Sequence, residues 1–151
     1  MSKPKTQAQL DKATDQRLRK TYGVGLDWYE EQLRLQNGGC AICRRPPGTR
    51  RLHIDHDHSW KKVKVSPKWV KGDEEVAGYW IASALYTGKD YERVYVTKRE
   101  AVRRVKVQLK KASVRGLLCH LCNRSLVLLN DRPDLFQRAA EYLEKHQGVK
   151  T

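Results

Sequence analysis

The sequence predicts an α+β fold in which a zinc-stapled β-hairpin core is flanked by helices and carries a basic, mixed segment inserted in the hairpin. Two Cys-x-x-Cys pairs, Cys40/Cys43 and Cys119/Cys122, use every cysteine of the 151-residue chain. Between them, Leu52-His53-Ile54-Asp55-His56-Asp57-His58 holds three of the five histidines and two carboxylates. A strand rarely carries that density unless a metal, a proton transfer or a phosphate uses it. Lys and Arg total 31 against 17 Asp and Glu, a formal charge of +14, which calls for a polyanionic partner, nucleic acid before others. The length fits one compact domain with appended arms.

Residues 1–22 read as a basic N-terminal helix or arm, with Leu10, Ala13 and Leu18 as a thin apolar stripe that implies little packing. Asp27 as N-cap with Glu30 three positions on predicts a helix from about 27 to 37, stopped by Asn37-Gly38-Gly39. Cys40 to Cys43 and the turn Arg44-Arg45-Pro46-Pro47-Gly48 supply half of a tetrahedral site. Leu52 to His58 then reads as a strand, and Val114 to Leu118 as its hairpin partner. Residues 23–58 and 114–151 would form the zinc-bound core.

Residues 59–113 are too long for a tight turn. They hold 14 Lys and Arg against 6 Asp and Glu, three of the four tryptophans and four of the seven tyrosines, so they read as an inserted basic, aromatic subdomain and not as a linker. Trp60–Val65 and Tyr91–Val96 are expected strands. Thr97 with Glu100 caps a basic helix bearing Val102, Val105 and Leu109. Beyond the second cysteine pair, Asn123–Leu129 continues as a helical segment, and Asp131-Arg132-Pro133-Asp134 restarts a helix ending near His146 to Gly148.

Met1 to Leu10 lacks the apolar stretch of an export signal, and no apolar run approaches membrane-spanning length. The expectation is an intracellular protein without a membrane partner, where paired cysteines bind metal in preference to forming disulfides. Four thiolates from Cys40, Cys43, Cys119 and Cys122 close one structural zinc site per chain. The plainer alternative is four unrelated buried thiols. A chain this small needs such a staple.

Asp55 offers a carboxylate oxygen and Asn123 a carboxamide oxygen, a pair suited to Mg2+ or Mn2+. Neutral His56 would accept a proton from the water attacking a phosphodiester. His58 would hold the phosphate or act as a further ligand, with His53 in support of either. The bland alternative leaves these histidines solvated on an edge strand. In a regular strand Asp55 and His56 point to opposite faces, so the strand has to bend, bulge or end there for both to serve one phosphate. For DNA binding the candidates are Lys61, Lys62, Lys64, Arg103, Arg104, Lys106, Lys110 and Arg115. Trp60 or Trp69 would lie near the duplex or unpaired bases, although core material for the insertion is the better reading of the tryptophans.

With these residues in hand, the chain resembles the recombination endonuclease VII family of phage nucleases, within the His-Asn-His or beta-beta-alpha-metal class. The matching motifs are Cys40-Ala41-Ile42-Cys43, Leu52 through His58, and Val114-Arg115-Gly116-Leu117-Leu118-Cys119-His120-Leu121-Cys122-Asn123. The resemblance implies a structural zinc on the four cysteines, a catalytic divalent cation on Asp55 and Asn123, and His56 as general base. It also implies DNA cutting or nicking, with four-way (Holliday) junctions resolved by homodimers, phage replication or packaging proteins as partners, and the host cytoplasm as location. The family usually joins its two strands by a short turn, which residues 59–113 replace here. A zinc-stabilised DNA-binding or assembly module without catalysis is the competing reading.

Overall fold

The computed structural model describes residues 4, 6–72 and 78–146, which form five α-helices and two small antiparallel sheets. The first helix, α1 (Gln7–Tyr22), starts at a capping box in which Thr6 and Gln9 satisfy each other's backbone N–H. It ends at Gly23 in the left-handed region, φ 76°. Far from being a loosely attached arm, α1 buries Leu18 in one cluster with Val24, Tyr29, Leu52, Ile54, Leu117 and Leu118.

The next helix, α2 (Leu26–Leu35), has Gly25 as N-cap with no side-chain cap, so the expected Asp27/Glu30 box is not formed. The reason is tertiary. Asp15 of α1 accepts from the Leu26 N–H at 2.8 Å, which satisfies an orphan donor from another helix. Asp27 turns instead toward Arg19, 3.4 Å away.

Strand β1 (His53–His56) pairs antiparallel with β5 (Val114–Leu118), aligning His53 with Leu118 and Asp55 with Gly116. The register then shifts, since His56 pairs with Val114 and Arg115 is left over. The irregularity demanded by Asp55 and His56 is therefore a β-bulge, with the extra residue on the partner strand. The helix α2 is pinned to this hairpin by Gln36, whose Nε2 donates to the Gly39 and Leu117 carbonyls, each at 2.9 Å. Its Oε1 accepts from the Leu117 N–H at 2.9 Å. Gln36→Ala strands a buried backbone donor and is expected to lower stability by about 1–3 kcal/mol. A urea midpoint unchanged in that variant would show the contact to be dispensable.

The inserted segment opens with a 3-10 helix, His58–Lys62, in place of the expected Trp60–Val65 strand. Asp57 sets it, because its carboxylate accepts from both the backbone N–H and the hydroxyl of Ser59 and so diverts the chain from extension. Three strands follow in the order β2 (Ser66–Val70), β3 (Tyr79–Tyr86) and β4 (Lys89–Tyr95). Strand β4 takes in the expected Tyr91–Val96 strand as far as Tyr95, with Val96 beyond its end, and its neighbours β2 and β3 lie outside the expected strands. Thr87 and Gly88, at φ 51° and 74°, make a two-residue turn with both central residues left-handed, the geometry that matches strand twist.

Helix α3 (Lys98–Ala112) is capped by Thr97, which accepts from the Glu100 N–H. It packs Ala101, Val105 and Leu109 against Ala82, Ala84 and Tyr86 of β3. The alanines let the helix lie close to the sheet. Trp60 and Trp80 flank this second core, while Trp69 remains half exposed beside Trp80, ring centroids 5.5 Å apart. Helix α4 (His120–Leu128) follows β5 directly, and α5 (Pro133–His146) ends the described chain. Gln147 and Gly148 lie outside the described residues. Tyr142 and Leu143 of α5 are exposed.

Candidate metal centre and active site

The four cysteine sulfurs lie within 4.8 Å of one another. Cys43 Sγ and Cys119 Sγ are 3.7 Å apart, too far for a disulfide and close to the edge of about 3.8 Å that follows from Zn–S bonds of about 2.3 Å in a tetrahedron. The first pair sits on a tight knuckle. A side chain at Gly39 would run into the Arg44 carbonyl, Arg44 itself is left-handed at φ 63°, and the Cys40 N–H donates to the Arg45 carbonyl. The Ala41 N–H donates to Leu117 O at 3.0 Å, so the knuckle is sewn to β5. The second pair opens α4, with Cys119 as its N-cap.

The thiols do not titrate alike. The Arg45 backbone N–H, and then its guanidinium, bring Cys43 down to about 6. Burial, and then the neighbouring sulfurs, push Cys122 up to about 12. Four thiolates cannot coexist here without a cation at their centre. The donor set fits a structural zinc, and Arg45 offsets part of the charge that a zinc with four thiolates retains.

One turn into α4, Asn123 faces the bulged hairpin. A cavity of about 150 Å3 is lined by Asp55, His56, His58 and Asn123, together with Tyr22, His53, Ile54, Arg115, Val127 and Asp131. The four residues singled out for catalysis thus share one cavity, and the zinc cysteines stand in a separate cluster. Adjacent Asp55 and His56, at the register shift where β1 ends, both line this space. The His56 ring lies 4.3 Å from that of His58 and 5.3 Å, edge-on, from Tyr22. Burial, and then the charge of His58, hold His56 below the ordinary histidine range, so its imidazole is neutral at neutral pH.

Asp55, nearly buried, is gripped through both oxygens by Arg115, at 2.7 and 2.9 Å. Arg115 also reaches Asp131 at 3.2 Å. This differs from the expected DNA contact, because the guanidinium fork matches a carboxylate and the bulge aims it inward. Two carboxylates against one guanidinium leave the cavity one negative charge, and Asp131 Oδ1 is buried without a partner. Asp55, Asn123 and Asp131 could hold a hard cation there. Asp57 points elsewhere, accepting from Tyr86 Oη at 2.8 Å and tying the insertion to the end of β1. Tyr22 and Asp131 were missed by sequence reasoning. Asn130 and Asp131 both adopt φ 53° at the α4–α5 junction, and no sequence pattern marks that pair.

The expected phosphate contacts divide. Glu100 binds Arg103 and Arg104, at 2.7 and 2.8 Å. Lys110 donates to the Lys20 carbonyl at 2.9 Å, bracing α3 against the end of α1, and lies over the Trp60 ring. Lys61, Lys62, Lys64 and Lys106 are exposed on the insertion.

Fold and site define an α+β protein with a four-cysteine cluster beside a histidine-lined cavity. The chain belongs to the recombination endonuclease VII family, whose model matches residues 15–73 and 77–145. The matched residues include most of the inserted segment. The chain is similar to the Gene 59 protein of Mycobacterium phage D29, 26% identical over 136 residues that cover 89% of this chain and 52% of that protein. The Gene 59 protein of Mycobacterium phage L5 is 27% identical over the same coverage. The chain therefore spans about half the length of the curated relatives it matches. No solved structure matches it. Among the described residues no helix is long and apolar enough to cross a membrane.

Proposed function

We propose that the protein is a divalent-metal-dependent DNA endonuclease of the His-Asn-His type, with β1, β5 and α4 as its beta-beta-alpha-metal unit. The observation that carries this reading is the single cavity shared by Asp55, His56, His58 and Asn123. Mg2+ or Mn2+ held by Asp55 and Asn123 would offset negative charge on the phosphate and the leaving oxygen. His56, kept neutral by burial, takes the proton of the attacking water. His58, 4.3 Å from His56, binds the scissile phosphate or completes the ligand set. Arg115 orients Asp55, and the zinc-clamped start of α4 fixes the height of Asn123.

Branched DNA, four-way junctions included, is the proposed substrate, with duplex nicking as the other form of the same activity. The catalytic core is assigned to residues 23–58 and 114–151, and the insertion at 59–113 to DNA contact or partner docking through Lys61, Lys62, Lys64 and Lys106. A homodimer and phage replication or packaging proteins are the proposed partners, and the host cytoplasm the proposed location. The competing reading, a zinc-stabilised DNA-binding module, is favoured only by the closed Asp55–Arg115 pair. Incubation of supercoiled plasmid and a synthetic four-way junction with Mg2+ separates the two. Paired symmetrical incisions in the junction are expected, and nicked plasmid alone would select the nicking form. Intact DNA in both reactions would leave the binding module.

A further inference from the structure

The geometry points to the groove between α1 and the chain entering β1, bordered by Arg17, Thr21, Arg50 and His53, as the track for the phosphate backbone of the DNA strand entering the active site. The inference rests on the nuclease reading and adds where the strand lies. A groove of about 460 Å3 runs between α1 and residues 50–54, and it shares Tyr22, His53 and Ile54 with the Asp55–His56 cavity. On the other side of residues 50–53 a second depression of about 440 Å3, bordered by His120, shares Arg50, Arg51, Leu52 and His53 with the first. Both openings thus meet at Arg50 and His53, next to the catalytic space.

The charges on this path suit a polyanion. Arg17 and Arg50 are exposed, and among the described residues neither takes part in an ion pair. Arg51 differs, lying 3.8 Å from Asp11 and over the Tyr29 ring, so it stiffens the groove wall. On the insertion, Arg103 and Arg104 share the one carboxylate of Glu100, and Lys110 is engaged with α1. Two guanidinium groups outside any ion pair among the described residues thus border the groove that adjoins the cavity. Thr14 and Thr21 add hydroxyls along the α1 wall, the donors that commonly accompany Arg at phosphates.

The test uses the full chain and a fluorescent 20-base-pair duplex, titrated in anisotropy over a salt series without added Mg2+. Arg17→Ala/Arg50→Ala is expected to bind more weakly whatever the duplex sequence, with the slope of log Kd against log salt reduced by about 2, one per lost phosphate contact. Lys89→Ala/Arg93→Ala removes the same charge from the β3–β4 hairpin and is expected to keep the slope near wild type. Circular dichroism checks that both variants fold, and Arg50→Glu serves as a second variant. Wild-type affinity and slope in Arg17→Ala/Arg50→Ala would overturn the track, and so would equal losses in the two charge-matched pairs or an absence of duplex binding by wild type. A wild-type protein that binds but leaves DNA uncut with Mg2+ would sink the nuclease reading alone, with the track still decided by the salt slopes.

Discussion

Removal of the ion from the four cysteines, or Cys119→Ser, is expected to unfold the hairpin core and leave the protein inactive. Cys40 is fully buried in the cluster that joins α1, α2, β1 and β5, and Cys119 starts the helix carrying Asn123. A structural zinc contributes about 10 kcal/mol or more of apparent binding free energy, comparable with the whole stability of about 5–15 kcal/mol of an ordinary domain. The second core, around Ala82, Val105 and Leu109, contains no cysteine, so part of the helical signal should survive in circular dichroism. Elemental analysis should find one zinc per folded chain. Uptake should release protons at neutral pH, because Cys122, pushed up to about 12, has to ionise whereas Cys43, near 6, already has. Lower pH therefore weakens binding. A Cys119→Ser protein that melts like wild type without zinc would show the cluster to be ornamental.

His56→Ala is expected to slow cleavage by about 10^2–10^4-fold, the usual contribution of a positioned general base, with zinc content and melting unchanged. Burial and the nearby His58 lower the His56 pKa, which stabilises the neutral form. Activity should thus persist below the ordinary histidine pKa of about 6.5 and fall tenfold per pH unit only once the pH passes beneath the lowered value. The variant should lose that acidic limb as well as the rate. A variant that retains the wild-type rate and limb would remove His56 from the proton transfer.

Local patterns made much of the molecule legible. The hairpin partner Val114–Leu118 was read from five residues, α3 from its capping threonine and 3.6-residue period, and the zinc cluster from two x2-spaced pairs, because each feature depends on near neighbours. At the start of α2 a residue of another helix intervenes, Asp15 in place of Asp27, whereas the expected Trp60–Val65 strand gives way to a local contact, the Asp57 carboxylate accepting from Ser59 two positions on and starting a 3-10 helix. Strand β3 gives a weak signal because two of its three buried side chains, Ala82 and Ala84, are alanines, poor as a β signal and meaningful only against α3.

By itself, then, the sequence determined the donor chemistry: four thiolates for zinc, the Asp-His-Asp-His strand, and a surplus of cations. Those are properties of residue type and short spacing. Only the tertiary structure decided that Asp55 and His56 line one cavity, beside a register shift that is a mismatch between two strands and is invisible in either alone. It also decided that Arg115 serves Asp55, that Asp131 and Tyr22 border the same space, and that Arg17 and Arg50 stand unpaired beside it. Arg115 and Asp55 stand 60 positions apart in the chain, and Tyr22 and Asp131 stand 109 apart.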